Sequence, residues 1–180
     1  MKGPDRLLKQ YISLFTAEPL NGPILDLACG DGHNGIFLAT KGFFVVLADK
    51  SDEALEAAAL SSRNVKDTVR LWKLDLEKEG VNPFTEASFG AVMVFRYLHR
   101  PLMPCIKKAI VPNGLLIYET YTVDQKRFGK PRNPAHLLNR GELRDFFSDW
   151  IISHYYEGIE NEKKRAVAQI ICKKPDTCSG

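Results

Sequence analysis

The residues with the clearest capacity for chemistry lie in one short stretch, ILDLACGDGHNG, which begins at Ile24. An acid, Asp26, precedes a turn of small residues that includes Ala28, Gly30 and Gly32. Glycine lets the backbone turn sharply and lets a ligand approach the main chain closely. A helical pattern follows, and the free N–H groups at a helix N-terminus favour anionic or polar ligands. The stretch therefore predicts a strand, a tight turn and a helix that hold a nucleotide-like cofactor.

Two acids, Asp26 and Asp75, help to distinguish between cofactors. The glycines of the turn fit the pattern G-x-G-x-x-G, and Asp49 follows about twenty residues later, as in a dinucleotide-binding turn. This pattern alone does not separate a nicotinamide cofactor from S-adenosylmethionine. Asp26 favours S-adenosylmethionine, because a carboxylate at this position would pair with an ammonium group but gains nothing from a pyrophosphate. Asp75 offers an acceptor for an adenine amino group, and the neighbouring Leu76 offers apolar surface to the ring.

Apolar runs of strand length alternate with helical patterns along most of the chain, which indicates an α/β fold. A first strand begins at Ile24, and further strands are predicted at 43–48, 68–74, 89–95, 115–118, 150–156 and 166–172. Helices are predicted at 5–17, from the glycine turn to about 41, at 54–60, from about 101 to before 112, and at about 140–147. The pattern predicts a Rossmann-like, doubly wound, mostly parallel seven-stranded sheet in a single domain, with an antiparallel last strand.

We expect the domain to occupy residues 21–174. Residues 1–20 would carry an N-terminal helix that is a candidate lid, and residues 175–180 would be a disordered tail. The segment between 121 and 139 is polar, basic and rich in proline and glycine, and long irregular segments in small domains are often functional.

With these blocks assembled, the sequence resembles class I S-adenosylmethionine-dependent methyltransferases from about residue 24 to residue 172. The stretch ILDLACGDG is similar to the first motif of that family, and the turn Pro112-Asn113-Gly114 is similar to its last conserved block. The continuation after Gly32 most resembles small tellurite-resistance-type methyltransferases. Two positions depart from the family pattern, namely Ala28 in place of a glycine and Phe89-Gly90 in place of Phe-Asp.

The resemblance implies that S-adenosylmethionine is the cofactor and S-adenosylhomocysteine the product. Asp26 and the backbone from Ala28 to Gly32 would hold the methionine end, Asp49 the ribose hydroxyls, and Asp75 with Leu76 the adenine. The complete set of predicted cofactor-binding residues is Asp26, Ala28, Gly30, Gly32, Asn34, Asp49, Lys50, Asp75, Leu76, Phe95 and Arg96.

The methyl acceptor should approach from the carboxyl ends of the fourth and fifth strands. His99 is the candidate general base, because its ordinary pKa lies near neutrality, and Tyr121 is a second candidate catalytic residue. Against these assignments, His99 could cap a helix, and Tyr121 could be a packing residue. Tyr97, Arg100, Arg127 and Arg132 are the predicted acceptor-binding residues.

The arginines suggest an anion-binding lid, because a guanidinium group binds carboxylate and phosphate in a bidentate manner. The alternative interpretation is a solvated loop whose arginines pair with surface acids. We favour a small acceptor that is an anion or a soft nucleophile. A nucleic-acid methyltransferase, a non-catalytic cofactor-binding subunit and a nicotinamide oxidoreductase are the alternatives that stay open at this point.

The bulk composition limits the partners. With 25 basic and 22 acidic residues the net charge is only +3, which is too weak by itself to indicate nucleic acid. No apolar run is long enough to span a bilayer, and the N-terminus does not have the pattern of a signal peptide. The four cysteines and four histidines lack metal-ligand spacing, so we expect free thiols and no metal. We therefore expect a cytoplasmic monomer or homodimer without membrane partners.

Overall fold

A seven-stranded sheet forms the centre of the protein in a computed structural model that describes residues 3–78 and 82–176. The strands are β1 Ile24–Leu27, β2 Val45–Asp49, β3 Val69–Lys73, β4 Phe89–Phe95, β5 Ile110–Tyr121, β6 Ile151–Glu160 and β7 Arg165–Lys173. The α-helices are α1 Arg6–Gln10, α2 Ser13–Thr16, α3 His33–Ala39, α4 Asp52–Ser61, α5 Met103–Ala109 and α6 Glu142–Phe146. Short 3-10 helices lie at Arg63–Thr68, Arg100–Leu102, Val123–Arg127, Pro134–His136 and Asn161–Lys163.

The strand order is β3-β2-β1-β4-β5-β7-β6. Strands β1 to β5 are parallel, whereas β7 runs antiparallel to both β5 and β6. This confirms the predicted doubly wound, mostly parallel α/β sheet with an antiparallel last strand. The strand order reverses between β1 and β4, and in such sheets the crevice beyond the carboxyl ends at this point binds ligands.

Apolar residues cover both faces of the central strands, since β1 and β4 are buried along their whole length. On one face Leu25 and Val92 belong to a cluster with residues of α5 and α6. On the other face Ile24 and Met93 belong to a cluster with residues of α1, α2 and α3. Burial on both faces explains why these strands are continuous apolar runs, and it fixes the carboxyl ends on which the site is built.

The N-terminal helix predicted at 5–17 is two short helices, because the chain leaves helical geometry at Tyr11. The break allows Leu8 and Phe15 to be fully buried in the same cluster. It also lets the Tyr11 hydroxyl hydrogen-bond with Nδ1 of His154 on β6, at 2.9 Å. Contacts distant in sequence therefore override the continuous helical pattern.

Several predicted strand boundaries were wrong. Strand β2 begins at Val45, since Phe44 is exposed, and strand β5 begins at Ile110 and continues through the predicted turn at 112–114. That turn survives as an irregularity in β5, where Asn113 adopts a positive φ of 63°. Strand β6 extends to Glu160, which pairs with Arg165 across the hairpin, although this stretch is highly charged.

The segment that follows β5 is not wholly irregular. The irregular segment after β5 contains the two 3-10 helices Val123–Arg127 and Pro134–His136 and a bridge between Thr122 and Leu138. Residues 175–176 have no regular structure, while 177–180, including Cys178, lie outside the described residues. The domain boundaries stay predictions.

Candidate functional site

The turn after β1 is held by an acid from the neighbouring strand. Ala28, Gly30 and Gly32 all have positive φ values, of 53°, 56° and 73°. Asp49, at the end of β2, accepts a hydrogen bond from the Gly30 N–H at 2.9 Å and another from the Ser51 N–H at 3.0 Å. Its carboxylate therefore fixes both the turn and the start of α4, and each oxygen retains capacity for a further bond.

Asp26 is an acid buried within the sheet. It is 2% exposed, and its Oδ2 accepts a hydrogen bond from the Gly35 N–H at 2.8 Å. Burial raises the pKa of this carboxyl to about 7, against the opposing effect of the hydrogen bond from Gly35. Asp26 can therefore exist in either protonation state near neutrality, and a positively charged ligand group would favour the ionised form.

The glycines of the turn serve different purposes. A Cβ on Gly32 would lie 2.8 Å from Leu47, and one on Gly35 would collide with Leu47 and lie 2.9 Å from Val45. These two glycines permit α3 to pack closely on β2. By contrast, no heavy atom lies within 4 Å of a Cβ on Gly30, so its backbone is accessible to a ligand. The geometry thus explains Gly32 by packing, and its predicted contact with a cofactor stays a prediction.

A cavity of about 390 Å³, which we call the turn cavity, lies beyond the end of β1. Its lining residues are Asp26, Ala28, Cys29, Gly30, Asp31, His33, Asn34, Phe95 and Arg96. Six of the predicted cofactor-binding residues therefore contribute to one cavity.

Asp5 forms the far side of this region and was not found by sequence reasoning. Arg96 donates two hydrogen bonds to its carboxylate, both at 2.8 Å, and Asn34 donates a third at 3.1 Å. His33 Nε2 lies 3.3 Å from the same carboxylate. Burial raises the pKa of Asp5, but the hydrogen bonds from His33 and Arg96 outweigh it and hold the pKa well below its usual value. No local pattern marks an aspartate that acts through partners so distant in sequence.

This cluster changes the interpretation of Asn34, which was predicted to bind the cofactor. Its amide group donates to the Asp5 carboxylate, and its oxygen accepts the Asp5 N–H at 2.8 Å. The Asn34 side chain thus holds the N-terminal segment against the turn.

The residues predicted to bind adenine lie at the ends of β2 and β3. The Leu74 N–H donates to the Asp49 carbonyl at 2.9 Å, which brings the end of β3 beside the turn. Leu76 is buried, whereas Asp75 is exposed and accepts the Glu77 N–H at 3.0 Å. Lys50 is exposed and pairs with Glu77 at 3.0 Å.

A second cavity, of about 690 Å³, lies below the segment that follows β5, and we call it the loop cavity. Its lining residues are Lys50, Glu77, Arg96, Tyr97, Leu98, Tyr121, Lys130, Pro131, Arg132, Asn133 and His136. Four of them are cations and one is an acid. The Tyr97 hydroxyl is buried and has no hydrogen-bond partner among residues 3–78 and 82–176. Arg96 lines both cavities, so the loop cavity adjoins the turn cavity.

The structure brings together only part of the predicted acceptor site. Tyr97, Tyr121 and Arg132 line the loop cavity, whereas Arg127 is exposed and lines none of the cavities described here. His99 does not line the loop cavity but lines an adjoining cavity of about 360 Å³, which shares Glu77, Leu98 and His136 with it.

Arg100 is fully engaged in holding the chain together. Its Nη2 donates to Glu142 at 2.8 Å and to the Leu137 carbonyl at 2.8 Å, and its Nη1 donates to the Ala135 carbonyl at 3.1 Å. It thus anchors the segment after β5 to α6.

Two kinds of site are not found in the described part of the chain. No group of three or more histidine, cysteine or acidic side chains in it could hold a metal ion. Likewise, none of its helices has the length and apolar character needed to cross a bilayer.

The sequence matches the family model described as "Methyltransferase domain" over residues 24–114. The chain belongs to this family, which confirms the methyltransferase resemblance found in the sequence. A curated relative, "Hemagglutinin 1" from Eikenella corrodens, is 27% identical over 146 residues. That match covers 75% of this chain but only 46% of the relative, so the chain spans less than half of that protein's length.

Solved structures support the fold. The crystal structure of TehB from Haemophilus influenzae is similar with a TM-score of 0.70 and 17% identity, covering 94% of this chain and 66% of that one. Magnesium protoporphyrin IX methyltransferase from Synechocystis PCC 6803, solved with bound S-adenosylhomocysteine, has a TM-score of 0.68 and 14% identity, covering 94% and 82%. The sheet order is therefore shared with methyltransferase structures.

Proposed function

We propose that this protein transfers a methyl group from S-adenosylmethionine to a small anionic acceptor. Family membership supports the methyl transfer, and one observation supports the acceptor class. The loop cavity adjoins the turn cavity and carries Lys50, Arg96, Lys130 and Arg132 against a single acid, Glu77.

The residues of the turn cavity fit the proposed cofactor. Asp26 is a buried carboxylate at the cavity wall, suited to an ammonium group, and the Gly30 backbone is open to a ligand. Asp49 has acceptor capacity suited to two hydroxyl groups. Leu76 and Leu98 offer apolar surface near the loop cavity for an aromatic ring. When bound, S-adenosylmethionine supplies an electrophilic methyl group.

The chain would contribute mainly by positioning the reactants. Aligning two reactants in adjoining cavities can lower a barrier by up to about 7–11 kcal/mol. Arg132 and Lys130 would orient the anionic group of the acceptor, and Tyr97 and Tyr121 would exclude water around it. His99, the base predicted from sequence, lies outside the loop cavity, and an acceptor that is already ionised needs no base.

We also propose that the N-terminal segment closes the site. Asp5 joins it to Arg96 and Asn34, two residues of the turn cavity, so release of this contact would uncover that cavity. This role would make the segment the lid predicted from the sequence.

The acceptor class can be tested by turnover. Purified protein with S-adenosylmethionine would be offered small carboxylates, phosphates and thiols, alongside neutral alcohols and amines, while S-adenosylhomocysteine is measured. We expect turnover with an anion, and Arg132→Ala should raise its KM by about 10- to 100-fold, since the lost charged hydrogen bond contributes about 1.5–3 kcal/mol.

Arg127→Ala is the matched control, because Arg127 belongs to the same segment but lines no described cavity. It should leave KM unchanged. Equal effects of the two substitutions, or turnover with neutral or cationic molecules alone, would contradict the anionic acceptor. Calorimetric binding of S-adenosylmethionine that is lost in Asp49→Ala would support the cofactor separately.

A further inference from the structure

A third cavity, of about 400 Å³, lies between α1 and the strands β5, β6 and β7, and we call it the strand cavity. Its lining residues are Arg6, Leu7, Gln10, Glu119, His154, Tyr156, Glu160, Asn161, Glu162, Lys163, Arg165 and Gln169. None of these residues lines the turn cavity or the loop cavity. Its volume is within the range of sites that bind small molecules.

Glu119 is the most unusual residue of this cavity. The residue is 1% exposed, and its Oε2 accepts hydrogen bonds from Gln169 at 2.7 Å and from Arg165 at 3.2 Å. Its Oε1 is buried but accepts no hydrogen bond from the described residues. Arg165 Nη1, at 3.0 Å, and Arg96 Nη1, at 3.7 Å, contribute charge to this oxygen without the alignment of a hydrogen bond. A buried acceptor without a hydrogen bond is unfavourable, and a ligand N–H group would supply the missing bond.

Oε1 receives no hydrogen bond from the surrounding network, although Arg165 Nη1 lies close enough to form an ion pair with it. Gln169 donates to Glu119 and to Glu160, at 3.2 Å, and its Oε1 lies 3.3 Å from His154 Nε2. The other ring nitrogen of His154 is bonded to the Tyr11 hydroxyl. These contacts hold the neighbouring polar groups in place, so the unfilled hydrogen-bond capacity of Glu119 Oε1 is a defined feature of the cavity.

The rim of the cavity carries a cation that could bind an anionic group. Arg6 is exposed and makes no hydrogen bond or ion pair with residues 3–78 or 82–176. The other two cations, Lys163 and Arg165, are paired with Glu160, at 3.7 Å and 2.7 Å. The cavity therefore combines a cation at its rim that has no partner among the described residues with a carboxylate oxygen on its wall, Glu119 Oε1, that forms an ion pair with Arg165 but accepts no hydrogen bond.

We propose that the strand cavity binds a small zwitterion, with its ammonium group on Glu119 Oε1 and its carboxylate on Arg6. The lining carries three cationic and three acidic side chains, so a ligand without net charge leaves this balance unchanged. This inference goes beyond the proposed function, because it does not depend on which molecule receives the methyl group in the loop cavity.

Calorimetry on the full chain, without S-adenosylmethionine, tests the proposal. The probes are glycine, β-alanine, 4-aminobutyrate and 6-aminohexanoate, a series in which the two charges move apart. Butyrate and butylamine each carry one of the two charges. We expect one amino acid of the series to bind at least about tenfold more tightly than either, a difference of about 1.4 kcal/mol. Equal binding of butyrate or butylamine, or no binding of the series at millimolar concentration, would overturn the proposal.

Three variants test whether Arg6 and Glu119 bind the amino acid. Arg6→Ala removes an exposed side chain and should leave the fold intact, while the best amino acid should then bind no better than butylamine. Glu119→Gln should weaken the amino acid about tenfold, equivalent to about 1.4 kcal/mol. Lys9→Ala, also on α1 but outside the cavity, is the matched control and should have no effect. If Glu119→Gln does not fold, Arg6→Ala decides, and unchanged affinity in that variant rejects the proposal.

Discussion

The two halves of the sheet form their cavities in different ways. At the ends of β1 and β2 the site is formed mainly by the backbone. Asp26 and Asp49 each accept hydrogen bonds from main-chain N–H groups, and glycines allow close packing. At the ends of β5, β6 and β7 the cavities are made by charged side chains that pair with one another, as Arg165 does with Glu119 and Glu160. The first construction depends on main-chain hydrogen bonds and close packing, whereas the second depends on ion pairs between side chains.

The largest effect is expected when a methyl group is added to the closely packed glycine Gly35, which follows the turn after β1. In Gly35→Ala the new methyl group would collide with Leu47 and lie 3.0 Å from Asp26 Oδ2. We expect a loss of about 1–3 kcal/mol in the free energy of unfolding, together with loss of S-adenosylmethionine binding. Urea denaturation and calorimetry measure the two effects. Gly3→Ala, where the nearest atom is 4.0 Å away, should be neutral, and an unchanged Gly35→Ala protein would refute rigid packing.

A smaller effect is expected when the affinity for S-adenosylmethionine is measured at different pH values. Because burial raises the pKa of Asp26 to about 7, the carboxyl is protonated in mildly acidic solution and pairs poorly with an ammonium group. Affinity for S-adenosylmethionine should therefore rise with pH, by up to about tenfold per unit below the pKa, and then level off. The charged neighbours His33, Asp5 and Asp31 also act on this group.

The effect of pH on the contribution of Asp26 to folding stability has the opposite direction to its effect on affinity. A carboxyl whose pKa is raised in the folded state binds its proton more tightly there than in the unfolded chain. The contribution of Asp26 to stability is thus present in acid and is lost as the pH rises towards 7. Calorimetry across this range, with Asp26→Asn as control, checks the binding prediction, and the same pH slope in both proteins would assign it to another group.

The smallest effects are expected at two arginines, one that anchors the segment after β5 and one that lies within it. Arg100→Ala removes the pair with Glu142 and two bonds to carbonyl groups, so we expect a loss of about 1 kcal/mol in unfolding free energy. Arg127→Ala removes an exposed side chain and should change it by less than about 0.5 kcal/mol. Thermal denaturation compares them, and equal melting temperatures would show that Arg100 does not anchor the segment.

The same contrast explains how much the sequence revealed. The doubly wound, mostly parallel sheet and the positions of Asp26 and Asp49 beside the turn could be predicted, because each depends on a pattern within a few residues of its position. The strand ends at Ile110 and Glu160 could not, because pairing with neighbouring strands overrides the turn and charge signals there.

Side-chain pairs between residues distant in sequence could not be predicted either. Arg100 was predicted to bind the acceptor, but Glu142, 42 residues away, occupies its guanidinium group. Asp5 contacts Arg96 across 91 residues and Glu119 contacts Arg165 across 46. A single sequence carries no signal for such partners, whereas the basic character of the segment that lines the loop cavity was visible in its composition.

The position of Arg96 has a thermodynamic consequence. Its guanidinium group borders both the turn cavity and the loop cavity and is itself held by Asp5 from the N-terminal segment. A molecule that shifts this group while binding in one cavity must alter the affinity of the other cavity. Such a coupling is reciprocal, so each occupant would change the dissociation constant of the other by the same factor.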